Sequence, residues 1–167
     1  MGLFRRLFGD GAPDGFTGAL EKDETVIAHA PVTSGGHLVV TSLGLWVPSE
    51  GEPRRIGWHL VSKVKWEGSL RVVEAVEASS EGPVVLLEDL PALRFAVDRP
   101  DRVLRAISQR VEGSIRLRER VESPGVWILQ RKIPGRDGVV WQARGDAGVD
   151  LASVREAVGP FVAKLAG

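Results

Sequence analysis

A chain of 167 residues with 22 basic and 22 acidic side chains has no net formal charge, which counts against nucleic-acid binding over a broad basic face. With 43% apolar residues it can fill a core, so general disorder is excluded. Cysteine is absent, and with it disulfides, thiolate metal sites and a cysteine nucleophile.

Residues 1–19 are expected to be an amphipathic segment followed by a linker. Leu3, Phe4, Leu7 and Phe8 fall on one side of two helical turns, with Arg5 and Arg6 at its edge. Two cations beside four large apolar groups suit an anionic membrane surface; the alternative is packing on the protein itself or on a second copy. No apolar run is long enough to cross a bilayer, and the split apolar pairs are unlike a secretion signal. The expected location is the cytoplasm, with peripheral attachment at the inner face of the membrane as the variant. Arginine outnumbers lysine, and asparagine and tyrosine are missing. That composition fits a GC-rich bacterial genome, so part of the arginine content is mutational bias.

Residues 9–18, GDGAPDGFTG, read as turn-rich linker. Thr25 to Ala30 is the first expected strand. Leu38 to Val40 and Leu45 to Val47 form a hairpin around a small-residue turn, and Arg54 to Trp58 follows. From His59 to Trp66, Leu60, Ser62, Val64 and Trp66 alternate with Val61, Lys63 and Lys65, placing the lysines on the outer face. Leu70 to Ala78, Val84 to Glu88 and Leu93 to Val97 continue the series at intervals of about ten residues.

The period then becomes helical. Asp98 is the expected cap, Pro100 suits the first turn, Val103, Leu104, Ile107 and Val111 share a face, and Gly113 is the expected stop. Ile115, Leu117 and Val121 next alternate with Arg116, Arg118 and Arg120. Val126 to Ile133 pairs back, and Asp137-Gly138 marks a hairpin into Val139 to Arg144. Asp150 or Ser153 caps a last helix whose stripe is Leu151, Val154, Val158, Phe161, Val162 and Leu165, with a kink or break expected at Pro160.

Three pieces of this chain, LVVTSLGLWVP from Leu38, RRIGWHLVSKVKW from Arg54 and LRFAVDRPDRVLRAISQRV from Leu93, resemble the bacterial pleckstrin-homology-like (PH-like) families. The resemblance implies an α+β fold. Residues 20–112 would form a split β-barrel of about seven antiparallel strands capped by a helix. Residues 113–167 fall outside it, as a three-stranded meander plus helix packed on the first domain. It also implies a binding or scaffolding role, which is an analogy of fold. Phosphoinositide-binding members place several Lys and Arg on the first strand, its loop and the second strand. Here Pro31 to Gly36 carries no cation, so that lipid site is not transferred.

His29, His37 and His59 lack paired-ligand spacing, even with Glu88 or Asp89 as a third ligand, and no metal or other cofactor is expected. Phosphate-cradling, dinucleotide and nucleophile-elbow motifs are missing, so the chain is expected not to be an enzyme. Arg116, Arg118 and Arg120, with Trp127 and Trp141, form a candidate surface for acidic peptides or single-stranded nucleic acid. Against it stands pairing of those arginines to Glu122 or Asp146 on a solvated face. Trp46, Trp58 and Trp66 are expected in the core. The resulting expectation is a non-enzymatic interaction module that binds a protein partner or itself. The alternatives are membrane anchoring through residues 3–8 and binding of acidic peptides or nucleic acid through the arginine strand.

Overall fold

The computed structural model describes residues 11–167. Leu3, Phe4, Arg5, Arg6, Leu7 and Phe8, the residues of the expected membrane segment, lie outside them. Among the described residues, no helix is long and apolar enough to cross a membrane.

Four strands, β1 (Val26–Pro31), β2 (His37–Thr41), β3 (Gly44–Val47) and β4 (Arg54–Gly57), form one antiparallel sheet in sequence order. Successive side chains of a strand point to opposite faces, and here both faces are buried. Leu38, Val40, Leu45 and Val47 enter the main core. Val26, Val39 and Trp46 point the other way, where Ala12, Phe16 and Leu20 cover them. The Phe16 and Trp46 rings meet edge to face, 5.5 Å between centroids. Part of the apparent linker is therefore the lid of this sheet, and the unbroken apolar run of β2 follows from burial on two sides.

Under that lid sits one buried carboxylate. Glu24 Oε2 accepts the Thr41 hydroxyl at 2.6 Å and the Trp46 indole N–H at 2.8 Å. Its Oε1 accepts the Glu21 amide at 3.0 Å and the Arg55 guanidinium at 2.8 Å. Thr41 Oγ1 in turn accepts the amides of Leu43 and Gly44, which closes the β2–β3 turn. Burial would raise the Glu24 pKa; the Thr41 hydroxyl, the Glu21 amide, the Trp46 indole and the Arg55 charge outweigh it and hold the carboxyl below its ordinary 4.5.

The remaining strands are β5 (Val61–Trp66), β6 (Leu70–Glu81), β7 (Val84–Asp89), β8 (Leu93–Phe95), β9 (Ile115–Val121), β10 (Val126–Lys132) and β11 (Val139–Gly145). They make a curled half-barrel sheet in the order β5-β6-β7-β11-β10-β9, with β8 also on β6. The twelve-residue β6 pairs β8 at Leu70–Val72 and β7 from Ala75 onward. One expectation is corrected here: the strands are not all antiparallel. β11 runs parallel to β7, Trp141 beside Val84 and Ala143 beside Leu86. The alternating patterns of single strands carry no sign of which distant strand lies alongside, or in which direction.

Helix α1 (Asp101–Ser114) lays Val103, Ala106 and Ile107 into the core between β1–β4 and the first strands of the curled sheet. Its N-cap is Pro100, whose carbonyl accepts the Leu104 amide, so Asp98 does not cap it. Its stop is Ser114, one residue beyond Gly113; the Ser114 hydroxyl bonds the Val111 carbonyl at 2.6 Å. Helix α2 (Leu151–Ala166) starts at Asp150, which accepts the Ser153 amide at 2.8 Å, and continues through Pro160 without a break. Val154 and Val158 cover Val84, Leu86, Val126, Ile128 and Ala143 in a second core. Trp46 and Trp58 are buried as expected, whereas Trp66 is 38% exposed. Trp66 pairs with buried Leu70 and so keeps the inward facing, but it is the last residue of β5, at the turn into β6, where the core no longer covers it. The register slip between Val61 and Lys63 instead turns Val61 to the core side.

Glu24→Gln tests the buried carboxylate, because either orientation of the amide sets an NH2 against two donors. The expected loss is about 1–3 kcal/mol, read from denaturant unfolding. The depressed pKa also fixes the sign with pH: the Glu24 contribution is complete above the unfolded value near 4.5 and is lost as pH falls through the lower folded value. The gap between wild type and variant should therefore narrow in acid, and a gap unchanged by pH would contradict the assignment.

Candidate functional site

Cross-strand partners share a face, which sorts the C-terminal strands. Trp127, Leu129 and Arg131 of β10 stand opposite Arg144, Gln142 and Val140 of β11. This face looks onto the segment joining β4 to β5, a 3-10 turn at Trp58–Leu60. Arg131 is 4% exposed and uses all five of its N–H donors. Nη1 donates to the carbonyls of His59 at 3.3 Å and Val61 at 3.2 Å. Nη2 reaches the Trp58 carbonyl and the Ser114 hydroxyl, each at 2.7 Å, and Nε shares that hydroxyl at 3.1 Å. No carboxylate is among these partners. Burial, then the Arg144 charge, lowers its pKa to about 10, so the guanidinium stays charged at neutral pH.

Gln142 donates to the His59 carbonyl at 2.9 Å, and Arg144 donates to the carbonyl and hydroxyl of Ser62. The enclosed space among these residues is about 10 Å³, room for nothing larger than a water molecule. His59 lines it. Burial, with the Arg131 and Arg136 charges, lowers the His59 pKa below 6.5, leaving a neutral ring. His29 and His37 lie on β1 and β2, away from this turn. Among the described residues, no three His, Asp or Glu side chains gather as metal ligands.

The candidate constellation on β9 is divided. β9 lies at the border of the sheet and, among the described residues, pairs only with β10. Its register slips at the start: Ile115 faces Arg131 and Leu117 faces Gln130, leaving Arg116 as the extra residue of a bulge. Past the bulge, Arg118 stands opposite Leu129 and Arg120 opposite Trp127. Arg120 stacks on the Trp127 ring, 4.9 Å from its centroid, and its Nη1 donates to Asp146 at 2.9 Å. Arg118 pairs with Glu112. Trp141 occupies the opposite face, edge to face with Phe161 of α2 at 4.9 Å. Trp127 therefore accompanies the arginines and Trp141 does not. Leu117, expected to point inward, is 55% exposed.

The buried role of Arg131 is not anticipated in the sequence. The one local hint was its place between apolar Leu129 and Ile133 in a strand that is apolar on both faces. No family model, curated protein or solved structure matches this chain.

Replacing Arg131 with Met keeps volume and removes every donor, stranding buried carbonyls at Trp58 and Val61. The expected cost is on the order of 3 kcal/mol, read from denaturant unfolding. Arg131→Lys should fall between the two, since an ammonium has three donors and no planar fork. Equal stability of Met and wild type would contradict this account.

Proposed function

We propose that the chain is a PH-like, non-catalytic binding module that takes an acidic, extended polypeptide partner along β9. The PH-like reading draws support from two sheets and α1 enclosing one apolar core. The observation that carries the binding reading is the open edge of β9: among the described residues no strand pairs with it on the side away from β10, and its seven residues include three arginines, one glutamate and the exposed Leu117. An unpaired edge offers backbone donors and acceptors to an incoming strand, and side chains select it.

Charge favours an acidic partner over a second copy. All three arginines of β9 occupy even positions. Two copies paired antiparallel about an axis normal to the sheet set even positions opposite even positions, so arginine meets arginine. An acidic strand meets the same row with opposite charge, and Leu117 supplies an apolar contact. Binding should weaken with salt.

The test is fluorescence anisotropy with a labelled peptide of alternating Glu and Val, and the same peptide with Lys for Glu. The acidic peptide should bind saturably and slow amide exchange along β9; the basic one should not bind. A Leu117→Asp/Arg118→Glu variant should lose at least tenfold in affinity with little change in melting temperature, because both positions are exposed. Equal binding of the two peptides, or binding indifferent to the variant, would overturn the proposal.

A further inference from the structure

The mouth of the fold where α1 ends, β9 begins and β10 stops holds a groove of about 420 Å³. Its lining includes Arg110, Arg116 and Lys132, with Ser42, Gln109 and Gly113. None of its lining residues is acidic, although the chain as a whole is neutral. Among the described residues the three cations have no ion-pair partner, whereas Arg118 and Arg120 on the same strand are engaged by Glu112 and Asp146.

Each cation is brought there by a different element: Arg110 by the penultimate turn of α1, Lys132 by the end of β10, and Arg116 by the bulge that breaks the β9 alternation. Bulges re-aim a side chain, and without this one Arg116 would keep the register of its neighbours. The floor is fixed by the Arg131 hub, since Ser114 and Trp58, both lining the groove, are two of its partners.

Two further features fit a small oxyanion. Ser42 Oγ accepts the Thr25 amide at 3.0 Å, which leaves its own proton to donate. Gly113 lies inside a helix, where glycine costs about 1 kcal/mol relative to alanine. Its backbone does not have positive φ, and a Cβ added there would meet nothing within 4 Å. Neither backbone conformation nor crowding asks for glycine; a side chain at 113 would stand in the open space of the groove. The negative end of α1 is also moderated, because the Val111 carbonyl takes the Ser114 hydroxyl and the Glu112 carbonyl takes the Ile115 amide.

We infer that this groove binds a phosphate monoester. A carboxylate offers two oxygens, whereas a monoester presents three terminal oxygens and close to two charges at neutral pH, matching three cations and a hydroxyl; guanidinium groups favour such oxygens. The inference stands on the groove and not on the open edge of β9.

Full-length protein labelled with 15N is titrated with glycerol phosphate, with glycerol as control, and sedimented with phosphatidylcholine vesicles with and without phosphatidic acid. Saturable shifts centred on Gly113, Arg116 and Lys132 are expected with glycerol phosphate alone. An Arg110→Glu/Lys132→Glu variant should bind at least tenfold more weakly. Gly113→Leu, which keeps every charge and should not lower the melting temperature, should lose binding to a similar extent. Pelleting only with phosphatidic acid, lost in the same variants, would identify a lipid as the source of the monoester; shifts without pelleting would identify a soluble one. Either result upholds the site. Absence of saturable shifts at millimolar glycerol phosphate, or wild-type binding by both variants, overturns it. The Glu–Val peptide carries no phosphate and its variants lie at 117 and 118, so failure of one proposal leaves the other standing.

Discussion

One buried cation ties this molecule together. Arg131 enters from β10 and ends on the 3-10 turn after β4, on the first residue of β5 and on the serine that closes α1. A charge withdrawn from water usually demands a counter-charge. Here backbone carbonyls and a hydroxyl stand in for one, and five oriented dipolar contacts use the whole donor set of the guanidinium. A carboxylate beside it would have carried its own desolvation cost. The arrangement fixes the turn linking the two sheets to the closing face of the C-terminal strands, and so sets where β9 begins.

The first sheet shows a second economy of the chain. Its strands are apolar on both faces because a short N-terminal stretch covers the side turned away from the core. That cover brings Glu24 over Thr41 and Trp46, and Arg55 closes the group from β4. The two polar centres differ in kind: Glu24 is an anion satisfied by side-chain and backbone donors near the surface, and Arg131 a cation satisfied by carbonyls in the interior. Around them the apolar cores do the packing, one beneath α1 and one beneath α2.

Local patterns exposed most of the secondary structure and little of the site. Alternation or short apolar runs between turns marked the strands, and the helical stripe around Val103 and Ile107 marked α1, because those signals depend only on neighbours in sequence. The α2 cap at Asp150 was legible for the same reason. Three features were not. The parallel neighbour of β7 depends on a strand far along the chain. The bulges at Ser62 and Arg116 flip Val61 and Ile115 relative to the rest of their strands, each through a single unpaired residue that no periodicity announces. The burial of Arg131 depends on carbonyls contributed from another sheet's connection. Trp127 and Trp141 fall on opposite faces because Trp141 stands opposite Gln130, an odd step along β10 from Trp127.

The side-by-side run of β7 and β11 has a bearing on how the chain is made. On the ribosome, β5 to β8 emerge early and have α1 and the first sheet to close against. The far border of β7, with Val84 and Leu86 on it, has no companion until β11 follows, after α1 and the β9–β10 hairpin have been synthesised. A nascent polypeptide thus carries an adhesive apolar border through much of its elongation, the stage at which a chaperone would have most to shield.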